Sequence, residues 1–321
     1  MPNFSILEDF EKLKKFESLG VRFKTLSTIK HDGRDYTIPS ISIGAEDKTL
    51  PTFGLFGGVH GLERIGCQVI ISFFNTLLEQ ASWDKNLRES LKTFRIVSIP
   101  IVNPVGVAHF TRSNGNNVDL MRNAPIDAEG AVYPLASGHR VSPLLPWYRG
   151  ELGVIEKESE TLIQFVEDEM FQSNVSIALD VHSGFGMKDQ IWYPYAGSTK
   201  KFPREDEALK LKELLDRTYP NHIYKYEAQS VNYLNHGDLW DYIFGLHEEK
   251  AKGFFLPLTL ELGSWSWVKK NPSQLFSKLG LYHPMKEHRQ ARTMRRHILL
   301  LDFLIKALRN TEAWVKTDLN R

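Results

Sequence analysis

His60 and Glu63 stand three residues apart at the mouth of a strongly apolar segment, residues 65–78. The run before them, 53–59, reads as a buried strand that halts in Gly57-Gly58-Val59-His60-Gly61-Leu62-Glu63. Imidazole nitrogen and carboxylate oxygen are ligands that Zn²⁺ accepts, and a catalytic zinc site takes three protein ligands and keeps a fourth position open. His60 and Glu63 supply two, so a third must come from elsewhere in the chain. Taken alone, the pair is equally a strand-to-helix turn in which glycine permits the bend and Glu63 favours the helix N-terminus.

Two further strand ends carry reactive groups. The apolar run 175–181 ends at His182-Ser183-Gly184. A histidine there is either a satisfied structural residue or the third ligand, completing a His, Glu, His set. Asp180 shares its strand face by the period of two, placing a carboxylate where a metal-bound imidazole sends its other N–H. Glu261 is the lone acid of the apolar run 258–262. Burying an unpaired carboxylate is costly, so Glu261 either has a buried Arg or Lys partner or uses its dry setting to raise its pKa for general-base work.

The elements that must position these groups follow from periodicity. Residues 5–18 have helical spacing with a capping box opening at Ser5, and 21–29 and 36–43 read as strands joined at His31-Asp32-Gly33. After the 53–59 strand, Ile65, Val69, Phe73 and Leu77 recur every fourth residue of a helix with one buried face. Residues 94–102 read as a strand closed by the turn signal Asn103-Pro104-Val105-Gly106. From 108 to 147 periodicity vanishes while Asn, Gly, Pro and Arg accumulate, and a loop of that length in a compact domain is read as functional. Helices are expected over 156–171, 204–218 and 289–309, with a strand over 254–262 that tolerates Pro257; Arg292, Arg295 and Arg296 read as a solvated face. Strands separated by helices predict one α/β domain over 1–321, its helix and hairpin in 1–50 included, with a central mixed, mostly parallel β-sheet flanked by helices on both faces. Ligands in such sheets bind at the carboxyl ends of the strands, where His60, Glu63, His182 and Glu261 all fall.

Composition excludes some functions. The 321 residues carry a formal charge of +1 and are 42% apolar, so no global pull toward nucleic acid or anionic membrane is visible. The single cysteine, Cys67, excludes an internal disulfide and a Cys-rich zinc module, and its apolar surroundings predict a buried, inert thiol. The first twenty residues lack the apolar core of a signal peptide, and no stretch approaches the ~18 apolar residues of a membrane span. A cytoplasmic protein is expected.

Order and spacing together resemble the zinc carboxypeptidase family typified by carboxypeptidase A, with its bacterial members and the related succinylglutamate desuccinylase/aspartoacylase group of N-acyl amino acid deacylases. The resemblance rests on the His60 and Glu63 motif, Asn103-Pro104-x-Gly106, Arg112 with Asn117 to Asn123, Asp180 to Ser183, and Glu261. It implies one Zn²⁺ per chain held by His60, Glu63 and His182, with Glu261 as general base toward a zinc-activated water. It implies Arg112 at the developing oxyanion, Asp119 and Asp180 behind the zinc histidines, and Arg122 with Asn123 on the substrate's terminal carboxylate. It also implies a mobile tyrosine over the site, matched to Tyr226 first and Tyr233 second, with Leu239 and Trp240 as an apolar wall of the specificity pocket. One position departs from the family: an asparagine expected beside Arg122 is Met121, whose thioether donates no hydrogen bond. The expected activity is hydrolysis of an amide bond next to a free carboxylate, that of a carboxypeptidase. The alternatives are an N-acyl amino acid deacylase or cell-wall peptide amidase on the same scaffold, and a binding protein that keeps the fold without catalysis.

Overall fold

Unbroken apolar runs suit strands covered on both faces, and such runs form the centre of the sheet. The computed structural model describes residues 6–315. Its strands are β1 (Arg22–His31), β2 (Arg34–Gly44), β3 (Thr52–Gly57), β4 (Arg95–Ile99), β5 (Val175–Ser183), β6 (Gln190–Tyr193), β7 (Lys225–Ala228) and β8 (Phe254–Leu262). They form one sheet in the order β1-β2-β4-β3-β5-β8-β6-β7. The inner four, β4, β3, β5 and β8, run parallel, and all their residues are buried. The pairs β1–β2, β2–β4 and β6–β8 are antiparallel. This is the mixed, mostly parallel sheet that the alternation of elements predicts.

The helices are α1 (Ile6–Glu11), α2 (Arg64–Trp83), α3 (Lys85–Ser90), α4 (Pro104–His109), α5 (Lys157–Met170), α6 (Glu205–Thr218), α7 (Leu239–Lys250), α8 (Trp265–Lys270) and α9 (Glu287–Arg309). Helices α2 and α9 pack together against β3 and β5, while α5 packs on β3 and α7 on β8. β3 shows that these are opposite faces: Gly54 lies against Met170 of α5 and Gly57 against Ile70 of α2, and side chains three apart in a strand point to opposite sides. Ile65, Val69, Phe73 and Leu77 are all buried along α2, as their spacing requires.

The structure departs from the sequence reading in instructive places. Beyond α1 the first helix tightens to 3₁₀ over Lys12–Leu19, because its apolar residues Phe10, Leu13, Phe16 and Leu19 recur every third position, the 3₁₀ repeat. Ser5, the proposed cap, lies outside the described residues. Asn103 to Gly106 is the start of α4 instead of a turn: Asn103 accepts a hydrogen bond from the Gly106 N–H at 2.8 Å, and Pro104 takes the first helical turn. The short strands β6 and β7 and the helices α3 and α8 hold too few periods to be read, and the buried face of α7 includes the polar residues Asp241 and His247, which mask its period. Pro257 is accommodated because β6 pairs with β8 only over Thr259 to Glu261, beyond the residue that lacks an N–H. Residues 110–152 hold no helix or strand apart from a single 3₁₀ turn, Leu120–Arg122.

Candidate active site

Register brings the reactive strand ends together. His182 at the end of β5 lies opposite Glu261 of β8, and Gly57 at the end of β3 lies opposite Val181. The chain leaving β3 turns at Gly58, whose φ of +67° favours glycine. Gly61 packs so closely on the Gly106 backbone that no Cβ fits, which draws the 60–63 turn onto α4. Glu63 is the N-cap of α2 but makes no side-chain cap bond. Its carboxylate is turned inward to the histidines, which removes the helix-start reading.

His60 Nδ1 is 2.8 Å from Glu63 Oε1, and His182 Nδ1 is 3.0 Å from Glu63 Oε2. The ligand atoms of the three residues lie within 4.8 Å of one another, and all three side chains are buried. The far sides of the rings are held as well: His60 Nε2 is 3.0 Å from Asp119 Oδ1, and His182 Nε2 is 2.8 Å from Asp180 Oδ2. Each imidazole thus presents Nδ1 to a common centre and Nε2 to a carboxylate, the arrangement that orients metal-ligating histidine. Two imidazoles and a carboxylate form a donor set suited to zinc. A third layer fixes the aspartates. The Trp240 indole donates to Asp180 Oδ2 at 2.9 Å, and Arg112 Nε donates to Asp119 Oδ2 at 2.9 Å. Arg112 also reaches Glu63 Oε1 at 3.4 Å.

Charge pairing sets the protonation. Burial pushes Glu63 upward, but His60 and His182 override it and hold the carboxyl well below its usual range. Burial acts the same way on Asp119, where Arg112 and then His60 prevail and keep it ionised. Burial disfavours charge on His182, yet Asp180 and Glu63 raise it well above the ordinary histidine value. Glu261 behaves oppositely to Glu63. Burial, then the negative charge of Glu63, pushes it up to about 8. Its Oε1 accepts the Phe185 N–H at 2.8 Å, and among the described residues no Lys or Arg forms an ion pair with it. The paired-carboxylate reading of Glu261 is therefore not what the structure shows.

These groups floor a cavity of about 410 Å³. Arg122 and Met121 line it from the 3₁₀ turn. Arg122 is buried, and among the described residues its Nε has no partner and its guanidinium makes one hydrogen bond, from Nη1 to the Met121 carbonyl at 3.3 Å. It forms no ion pair among the described residues, so a buried guanidinium faces the cavity ready for an anion. Tyr133, Ser137 and Trp147 of the irregular region, Phe185 and Trp192, Asn232 and Tyr233, and Thr259 and Tyr282 complete the wall.

Four residues expected at the substrate or in its wall lie elsewhere. Asn123 is buried away from the cavity, donating to the Arg149 and Val154 carbonyls at 2.9 and 3.1 Å and accepting from the Glu156 N–H at 2.7 Å. It ties the irregular region together instead of meeting substrate. Tyr226 is buried on β7 with its ring 5.9 Å from that of Tyr193; of the two candidates it is Tyr233 that lines the cavity, beside Phe185 and Trp192. Leu239 and Trp240 begin α7, capped by Asp238, and face the core and Asp180 instead of forming a wall. The aromatic wall residues Trp147, Phe185 and Trp192 were not legible, because they sit in segments too short or irregular for periodicity. The one signal was the length of the 108–147 stretch.

Comparison with known proteins identifies the family and the fold. The profile of the family described as zinc carboxypeptidase matches residues 22–258. Carboxypeptidase SOL1 of Arabidopsis thaliana is 23% identical over 276 residues, 82% of this chain and 50% of that protein. A protein of Ajellomyces capsulatus named Inactive metallocarboxypeptidase ECM14 is 25% identical over 63% of this chain and 34% of its own length. The chain thus spans half or less of these curated relatives. Among solved structures, thrombin activatable fibrinolysis inhibitor superposes with a TM-score of 0.70 at 18% identity, covering 95% of this chain and 74% of that one. Carboxypeptidase A from Helicoverpa armigera superposes with a TM-score of 0.59 at 17% identity, covering 90% and 71%. These structural likenesses show a shared fold.

Proposed function

This chain belongs to the zinc carboxypeptidase family, and from that premise we propose that it is a catalytically competent metallopeptidase that removes residues from peptides with a free C-terminal carboxylate. One observation carries the reading. The His60, Glu63 and His182 donor set faces a single cavity together with Glu261 and Arg122, neither of which forms an ion pair with a carboxylate, Lys or Arg among the described residues. A relative named inactive makes activity itself the point to test.

His60, Glu63 and His182 would hold zinc, which when bound polarises the scissile carbonyl and lowers the pKa of a water. Asp119 and Asp180 accept the far N–H groups of the histidines and fix the side of each ring that faces the centre. Glu261, dry and raised in pKa, takes the proton of the attacking water and returns it to the leaving amine. Arg112 adds positive charge where the tetrahedral oxyanion develops, already oriented by Asp119. Arg122 receives the terminal carboxylate of the substrate. A cytoplasmic setting remains part of this proposal.

A second reading is favoured by Met121, which lines the cavity where the family places a hydrogen-bond donor. With one donor fewer for the carboxylate, the same centre could serve N-acyl amino acids or cell-wall peptides. Hydrolysis of a peptide set supplied with free and with amidated C-termini, read by mass spectrometry with and without a zinc chelator, separates the two. Chelator-sensitive loss of single residues from the free-ended set alone is the expected result. Turnover of acylated amino acids with no cleavage of either peptide set would replace the first reading by the second.

A further inference from the structure

A second cavity, of about 190 Å³, lies between α8 and the first three turns of α9 and shares no lining residue with the catalytic cavity. Lys270, Arg289, Arg292 and Arg296 line it together with the hydroxyl residues Ser266 and Thr293, and no Asp or Glu does. Two of the guanidiniums are anchored from behind. Arg289 donates to the Trp267 carbonyl at 3.0 Å and to the Lys270 carbonyl at 3.4 Å, and Arg296 donates to Asp189 at 3.1 Å. Lys270 and Arg292 form no ion pair among the described residues.

The charge pattern of α9 is independently anomalous. A helix N-terminus favours acidic side chains and disfavours cations, and like charges three or four residues apart repel along a helix face. Yet the first eleven residues of α9 hold Arg289, Arg292, Arg295 and Arg296 against the lone acid Glu287. Arg289 and Arg296 are compensated by those contacts, but Arg292 and Arg295 form no ion pair among the described residues, and local rules broken without compensation mark functional positions. An anion in the groove would relieve both the repulsion and the conflict with the dipole. Planar guanidiniums with fixed geometry suit the tetrahedral oxygens of phosphate.

We propose that the α8–α9 groove is a binding site for a phosphate group, whether free inorganic phosphate or the phosphate of a small phosphomonoester. The test is calorimetric titration and thermal unfolding of the full chain with inorganic phosphate and, in a second arm, phenyl phosphate, each against sodium chloride at equal ionic strength. Phosphate should bind and raise Tm beyond the chloride control. The Lys270→Ala, Arg292→Ala double variant should lose about tenfold or more in affinity, whereas Arg122→Ala, altered in the catalytic cavity, should keep it. Binding in both arms assigns the phosphate group in general; binding of inorganic phosphate alone assigns the free ion. Arg292→Glu should raise Tm without phosphate and abolish the phosphate effect, a pair of responses that a merely structural arginine would not give. Stabilisation no greater than that by chloride, or binding lost in Arg122→Ala and kept in the double variant, would overturn the assignment.

Discussion

The floor and the wall of the catalytic cavity are built on different principles. On the floor, every charged group except Glu261 meets an opposite partner. His60 and His182 sit between Glu63 and two aspartates, and Arg112 joins Asp119 to Glu63. The positions come from strand ends and their register, which rigid parallel pairing sets. The wall comes from the 3₁₀ turn at 120–122, the irregular 130s and 140s, and the segment around Tyr233. Its buried charge, Arg122, forms no ion pair among the described residues. A closed network on a rigid sheet should tolerate no substitution, whereas a wall of separate side chains should respond by degrees.

His182→Ala gives the sharpest contrast. It removes one of three ligands and leaves Glu63 and Asp180 without their shared imidazole, so zinc content by mass spectrometry and peptidase activity should both fall below detection. Glu261→Ala should keep zinc and lose activity by roughly 10²–10⁴-fold, the usual contribution of a positioned acid–base group; full activity in the purified variant would sink the assigned mechanism. Arg122→Ala should be graded, raising KM for free-ended substrates by about 10–100-fold through loss of a charge-assisted pair, with zinc content unchanged. An unchanged KM would move carboxylate recognition elsewhere on the wall. Trp240→Phe tests the outermost layer of the floor, since it deletes the indole bond to Asp180 while keeping an aromatic ring against Phe56. Zinc affinity should drop by about tenfold, the lower end for partners behind the ligands, and an unaltered zinc dissociation constant would confine the network to two layers.

The smallest effect concerns the support of the wall. Asp241 accepts the N–H groups of Ala196 and Gly197, and burial, then the charge of Asp238, pushes its pKa up to about 8. Its folded value lies above the unfolded one, so the folded protein binds the extra proton between about 4 and about 8. The associated stability is complete below that window and is lost as pH rises through it. Denaturant unfolding at pH 5 and pH 8 should therefore show a smaller difference between the two pH values in Asp241→Asn than in the parent chain. An equal difference would mean that Asp241 does not titrate in this range.

The chemistry of the floor was readable one residue at a time. Donor types, glycines at the bend and polar residues ending apolar runs are local features, and the sheet expected from them is the one that formed. Where the reading failed, the decisive contacts were long-range. Nothing local told Tyr226 from Tyr233; β7 carried the first into the Tyr193 cluster and the loop after it carried the second to the cavity. Asn123 and Arg122 are neighbours in the chain, yet the 3₁₀ turn sends one into backbone bonds and the other toward the cavity. Trp240 looked like a wall residue until α7 aimed its indole at Asp180.

By itself, then, the amino-acid sequence determined which groups could bind a metal and move a proton, because those properties belong to single side chains and short periodic runs. Tertiary structure alone decided that Glu63 turns from its helix to two histidines, that Glu261 forms no ion pair with Lys or Arg among the described residues, and that Arg122 faces the cavity. These are matters of distance and desolvation between segments far apart in the chain, and no local pattern encodes them.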